Sequence, residues 1–296
     1  MDIWEEQVTL RFGSIDKSDR ITLGAVFAFF QEAAISHATA LGVGRDELVV
    51  NRQAWILSRI SVFIEERPKY GDTITVKTWP RGSEKLFVLR DYEMSDSSGR
   101  NLVRGRSSWL VIDIDKRRPQ RPTSVAEKLP LNEGRNALVS GPLGLTPGEN
   151  MISAGERQAA YSDIDTFGHV NNVRYIQWIQ DIIPPDMLSK SRQMRLDINY
   201  LNEILPGEKV ELFTAPIETK TSMEERTTGD YPESAMSAFA CEGRKIFSAG
   251  DQAATGGHAP AAGNALAAGH APTAGHTPAA SSVGNVSFRA ELRLGL

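Results

Sequence analysis

The 296-residue chain is 41% hydrophobic and 24% charged, with a formal net charge of -4 and an isoelectric point near 5.8. That balance suits a globular protein with room for two ordinary domains or one large one, and gives no overall electrostatic support to a nucleic-acid partner. A single cysteine, Cys241, excludes an intrachain disulfide and suits a reducing compartment. The opening MDIWEEQVTL has no basic or apolar signal region, and no apolar run approaches the ~20 residues of a bilayer-spanning helix. The expectation is a cytoplasmic protein without integral membrane contact.

In chain order, RFGSIDKSDR leads into LGAVFAFFQEAAISHATALG, where Leu23, Val26, Phe27, Phe30 and Ala34 recur at helical spacing. Four strand-like segments follow: AWILSRISVFIEE, DTITVKTW, EKLFVLRDYEM and NLVRGRSSWLVIDI, with turn chemistry at Pro68 and Gly71-Asp72. From about Lys116 to Glu156 the sequence is rich in Pro and Gly without a sustained period, and a linker is expected over 126–150. The pattern then returns. AYSDIDTFGHV leads into NNVRYIQWIQDIIP, with Val173, Ile176, Ile179 and Ile183 on one helical face and Pro184-Pro185 as a stop. QMRLDINYL, EKVELFTAPI and SAMSAFACEGRKIF read as strands, with a turn at Pro206-Gly207-Glu208.

Set in register, Ser14-Ile15-Asp16 matches Asp163-Ile164-Asp165, and Arg20 falls opposite His169. The expected fold class is α+β, with two tandem units over 1–125 and 151–296, each a long helix wrapped by an antiparallel sheet. Residues 253–282, almost wholly Ala, Gly, Pro, Thr, Ser and His, lack the large apolar residues that offset ordering entropy and read as a disordered insert. Beyond it Val286, Phe288, Ala290, Leu292 and Leu294 alternate with polar residues, a closing half-buried strand.

Of five histidines, His258, His270 and His276 lie in the insert at irregular spacing, which favours a solvated tether over a zinc site; no metal is expected. His37 sits inside the first helix and reads as structural. His169 follows Asp165 by four residues in a Gly-containing turn just before a helix, a placement suited to acid–base work. A helix starting near Asn172 aims its unpaired N–H groups and positive dipole end at that turn, where an oxyanion would be stabilised. Asp165 reads equally as an Asx-turn or capping residue. No nucleophile elbow, phosphate-binding loop or dinucleotide fingerprint is present, and Cys241 reads as a small core residue.

DIDTFGHVNNVRYIQW resembles the active-site segment of acyl-acyl carrier protein thioesterases, tandem hotdog enzymes of plastids and bacteria. QEAAISHATALGVG, WILSRISVFIEERPKYGDTITVKTWPRG, LFVLRDYEM and SSWLVIDIDKRRPQRP resemble their first repeat. The likeness runs from about Val8 to Phe213, and FRAELRL is similar to their closing strand. The resemblance implies hydrolysis of fatty acyl-acyl carrier protein thioesters without a cofactor, with acyl carrier protein and its acyl-phosphopantetheine as partner, a homodimer left open, and a degenerate first repeat shaping the acyl tunnel. It assigns catalysis to Asp165, His169 and, on the strand of the Tyr200-Leu201-Asn202-Glu203 segment, Glu203. The family has an Asn where this chain has Phe167, which leaves Asn171, Asn172 or a backbone group to orient the substrate. The Cys that follows the Glu in some relatives is Ile204 here. Lys116-Arg117-Arg118 with Arg121 is a candidate docking patch for an acidic carrier. An acyl-CoA thioesterase of the same fold and a weakly active acyl-binding protein are the alternatives.

Overall fold

The Thr22 hydroxyl accepts the Ala25 N–H at 3.0 Å and starts α1 (Leu23–Ala40), which buries Leu23, Val26, Phe27, Phe30, Ala33, Ala34 and His37 along one stripe. The computed structural model describes residues 2–217, 236–246 and 283–295. Around α1 the first repeat comprises β1 (Trp4–Thr9), α2 (Arg45–Val50), β2 (Gln53–Ile64), β3 (Thr73–Glu84), β4 (Phe87–Ser95) and β5 (Asn101–Asp113), with β6 (Arg118–Gln120) and α3 (Thr123–Ala126) after it. The second comprises β7 (Ile152–Gln158), α4 (Asn172–Ile182), α5 (Pro185–Lys190), β8 (Gln193–Tyr200), β9 (Lys209–Ile217), β10 (Met236–Ile246) and β11 (Val283–Gly295).

All strands join one antiparallel sheet in the order β1-β3-β4-β5-β2-β8-β11-β10-β9-β7, with β6 beside β5. Counting β7–β11 as copies of β1–β5, the order reads the same from either edge. The two halves meet where β2 pairs antiparallel with β8, from Arg59↔Asn199 to Ile64↔Met194. An antiparallel pairing of equivalent strands is what an approximate two-fold axis between the repeats generates. The protein is thus α+β, two hotdog units side by side, with α1 and α4 on one face of a shared sheet.

The core is correspondingly shared: Phe27, Phe30, Ile60, Val62, Ile176, Ile179, Leu196, Ile198, Phe288 and Leu292 belong to one cluster. The helices touch directly, since the Gly24 N–H donates to Gln180 Oε1 at 2.8 Å and a Cβ on Gly24 would meet Gln177 Cγ at 3.0 Å. Among the described residues no helix is long and apolar enough to cross a membrane.

The other face of the sheet is charged yet covered. Asp91 is fully buried, takes a two-pronged bond from Arg106 (Nε 2.6 Å, Nη2 2.7 Å) and accepts the Ala137 N–H at 2.8 Å. Further along, Asn199 donates to Leu143 O at 3.0 Å and accepts from Leu145 N at 2.7 Å, and Glu242 accepts Gly148 N at 3.1 Å. Residues 127–151 contain no helix or strand, but they run across both halves and supply backbone partners to buried ions.

One sequence expectation needs correction here. The Pro- and Gly-rich stretch from Lys116 to Glu156 contains β6, α3 and the start of β7. β7 escaped notice because a register shift at Ser153/Gly155, with Gly155 at φ +117°, breaks its alternation. The insert expected over 253–282 lies outside the described residues; the strands on either side of it pair, Cys241 opposite Ala290.

Asp91→Ala removes both bonds that neutralise the buried Arg106 guanidinium and leaves the Ala137 N–H without its acceptor, and is expected to cost about 3–5 kcal/mol by urea denaturation. Glu93→Ala, next on the same strand but paired at 3.6 Å with the half-exposed Arg135, is expected to cost no more than about 1 kcal/mol. Equal losses would show that the buried pair does not anchor the crossing segment.

Candidate active site

α4 is capped by Asn171, whose Oδ1 accepts the Val173 N–H at 2.9 Å. The loop before it is closed by its own backbone: Asp165 N donates to His169 O at 2.8 Å, Gly168 N to Asp165 O at 3.0 Å, and Ile164 bridges Val170. Gly168 takes the left-handed conformation this tight loop requires, at φ +81°. Asp165 Oδ1 accepts the N–H groups of Phe167 (2.8 Å) and His169 (3.3 Å), so its carboxylate builds an Asx turn.

Val170 N donates to Ile204 O at 2.9 Å, which draws the chain after β8 against this loop and sets Glu203 beside His169. His169 Nε2 lies 3.2 Å from Glu203 Oε2, and both side chains are a little over one-third exposed (37% and 39%), an imidazole–carboxylate contact open to solvent. The Asp165 carboxylate is bonded to the loop backbone, whereas the imidazole pairs with Glu203. Glu203 is not on the strand as expected. β8 ends at Tyr200, where Leu201 N and Asn202 N both turn onto Ser287 O (2.9 and 3.1 Å), peeling the chain off the sheet. The strand-like reading failed because the Pro206-Gly207 turn begins pulling the chain away before the apolar pattern ends.

Three carboxylates act on the buried Tyr175. Burial pushes its phenol well up, and the charges of Glu203, Glu208 and Asp165 add to that against a lowering contact with the Ile204 backbone. Asn172 occupies the first position of α4; its N–H has no acceptor among the described residues, and its carbonyl accepts the Tyr200 hydroxyl at 3.1 Å. Asn172 and Val173 also help line a small cavity of about 20 Å³, with Phe27, Phe30, Leu57, Ile60, Tyr92 and Trp109. A larger groove of about 670 Å³ opens elsewhere, between Ser83, Lys85, Arg121 and Glu127. It holds Arg121 of the candidate docking patch but none of the acid–base residues. Lys116 of that patch is paired with Asp113 at 3.2 Å.

The first repeat repeats most of this architecture. Asp16 N donates to Arg20 O (2.9 Å), Thr22 N to Ser14 O (3.0 Å) and Ile21 N to Pro68 O (2.9 Å), as Asp165, Asn171 and Val170 do. Asp16 Oδ1 accepts from Ser18 N at 2.8 Å, as Asp165 Oδ1 does from Phe167 N. Arg67 therefore stands where Glu203 stands, and Arg20 where His169 stands. Arg67 is buried and bonds Asp16 Oδ2. Burial acts to raise the Asp16 pKa, but the bonds from Ser18 and Arg67 outweigh it and hold the carboxyl below its usual range. This copy is an ion pair, with no imidazole.

Phe167, which stands where the family this chain resembles has an Asn, is 51% exposed and carries the Arg45 guanidinium over its ring, 4.8 Å from the centroid. Sequence reasoning missed Arg45. It lies on α2 of the other repeat, and no periodicity ties it to Phe167. His37 is fully buried, bonded through Nδ1 to Arg90 Nη1 at 3.1 Å, and is structural as expected. Burial pushes the Cys241 thiol up to about 12, against a weaker opposing effect of Thr214, which leaves no thiolate for nucleophilic work. The three insert histidines lie outside the described residues.

Known protein families match most of this chain. The acyl-ACP thioesterase N-terminal domain model matches residues 2–127 and the C-terminal domain model residues 152–239. A chloroplastic palmitoyl-acyl carrier protein thioesterase of Cuphea hookeriana is 26% identical over 231 residues, covering 72% of this chain and 54% of the relative. An oleoyl-acyl carrier protein thioesterase of Arabidopsis thaliana is 24% identical, covering 71% and 63%. The chain thus spans about half to two-thirds of the length of these curated relatives. Among solved structures, an acyl-ACP thioesterase of Bacteroides thetaiotaomicron superposes with a TM-score of 0.72 at 22% identity, covering 98% of this chain and 96% of the other. The 12:0-ACP thioesterase of Umbellularia californica gives 0.69 at 17%, covering 99% and 96%. The two family models, occupying both repeats of a matching fold, establish that the chain belongs to the acyl-ACP thioesterase family.

Proposed function

We propose that the protein hydrolyses fatty acyl-acyl carrier protein thioesters to free fatty acid at the His169–Glu203 pair. The observation that carries this is the 3.2 Å contact of an accessible imidazole with a carboxylate at the start of α4, opposite a repeat where arginines occupy both positions. The acyl chain enters the cavity between α1 and the sheet, which must widen by movement of its apolar walls. The carbonyl oxygen faces the Asn172 N–H and the positive end of α4, where negative charge developing on it is stabilised. Glu203 and His169 hold a water and take its proton as its oxygen bonds the carbonyl carbon; the C–S bond then breaks, and the proton passes from His169 to the leaving thiolate. Asp165 positions His169 by holding the loop, a role supported by Asp16, which builds the same turn in a repeat with no imidazole at the matching position.

His169→Ala and Glu203→Gln are expected to lower kcat on acyl-carrier-protein substrates by about 10²–10⁴-fold. Arg20→Ala is expected to leave kcat near wild type. Two unimpaired variants at 169 and 203 would move the site elsewhere.

The two roles open to Asp165 separate by substitution. Asp165→Asn keeps the Oδ1 acceptor and is expected to retain far more activity than Asp165→Ala. A nucleophilic Asp165 would instead make the two equally inactive.

Leu57→Phe, which adds volume to the wall of a cavity of only about 20 Å³, is expected to raise KM for long acyl chains more than for short ones. A uniform effect across chain lengths would show that the acyl chain lies elsewhere.

A further inference from the structure

The mouth of the site carries a cation that the hydrolytic mechanism does not use. Arg45 is exposed at the first position of α2, on the first repeat, and reaches across to the catalytic loop of the second, over the Phe167 ring. Its backbone is firmly held. A Cβ on the capping Gly44 would fall 2.8 Å from Thr39 Oγ1 and 3.0 Å from Thr39 Cα, so the turn from α1 into α2 closes tightly only with glycine. The Trp55 indole anchors the same turn through Val43 O at 2.9 Å.

Arg174, the arginine in the first turn of α4, is already committed to Asp163 (3.7 Å), Ser162 O (2.7 Å) and Gln177 (2.6 Å). Arg45 forms no ion pair with any described residue. Its guanidinium is oriented by the ring beneath it, leaving its N–H groups to solvent. Phe167 lies two residues from both Asp165 and His169, so this oriented cation stands at the rim of the thioester site.

We infer that Arg45, held by Phe167, is an anion subsite that binds the phosphate of the phosphopantetheine arm as its acyl end enters the cavity. The inference rests on the hydrolase reading for its substrate. The acyl group points inward past Asn172, so the arm must leave toward solvent past residues 165–169, and its one charged group meets the guanidinium there. A planar fork of N–H donors matches phosphate oxygens two at a time. Acidic side chains of the carrier protein are the other source of negative charge at this rim.

The test compares one acyl group on phosphopantetheine, on pantetheine without the phosphate, and on the carrier protein. For Arg45→Met the KM ratio of acyl-phosphopantetheine to acyl-pantetheine is expected to rise by about 10-fold over wild type, the loss of one charge-assisted contact. Phe167→Leu, which keeps the cation and removes the ring face, is expected to raise the same ratio by less. An equal rise for both small substrates would mean that Arg45 only braces the loop, and would overturn the assignment. So would an effect confined to the carrier-bound substrate, which would give the anion to the carrier's surface. Calorimetric binding of phosphopantetheine and pantetheine to wild type and Arg45→Met reads the subsite without turnover. If wild type hydrolyses no thioester yet binds phosphopantetheine more tightly through Arg45, the hydrolase reading fails and the subsite stands.

Discussion

The pairing of β2 with β8 is the constraint on which the molecule depends. Its main-chain bonds, from Arg59↔Asn199 to Ile64↔Met194, fuse two sheets into one and place α1 and α4 on the same face. They also relate the repeats by an approximate two-fold axis, which brings the short helix of each repeat to the helix-start loop of the other. α5 reaches the first-repeat loop through Lys17–Asp186 at 2.7 Å and through Arg67 Nη1 on Leu188 O at 3.1 Å. α2 reaches the second-repeat loop through Arg45 on Phe167. Neither loop is complete within its own repeat, so the candidate site belongs to the fused chain.

The sequence showed what local periodicity can encode. The stripe Leu23, Val26, Phe27, Phe30 and Ala34 is buried along α1, and the alternation from Phe288 to Leu294 is the inward face of β11. The register of Asp16 against Asp165 predicted equivalent loops, and the backbone bonds of the two loops coincide. What stayed illegible was set by contacts between distant segments. The crossing segment at 127–151 looked like an ordinary linker because its role is to offer backbone groups to Asp91, Asn199 and Glu242, and backbone groups leave no mark on composition. Nothing in the local sequence sets Arg67 apart. Only the bond from Ile21 N to Pro68 O, matching that from Val170 N to Ile204 O, shows that it occupies the place of Glu203.

That equivalence makes the first repeat an internal control for the second. An aspartate that accepts loop N–H groups before a helix is present in both copies, so the Asx turn belongs to the fold and does not by itself signal chemistry. The difference lies in the two side chains around it. Arginine does not give up its proton in proteins, so Arg67 beside Asp16 makes a permanent, largely buried ion pair that α5 covers. Histidine beside glutamate is the opposite case: an imidazole can exchange its proton near neutral pH, and the carboxylate fixes which nitrogen holds it. The fold supplies the same loop, the same helix start and the same aspartate twice. What differs is the pair of side chains set opposite that aspartate: a partly exposed His169 and Glu203 in contact in one repeat, Arg20 and a buried Arg67 in the other, which is why the proposed chemistry is assigned to the second.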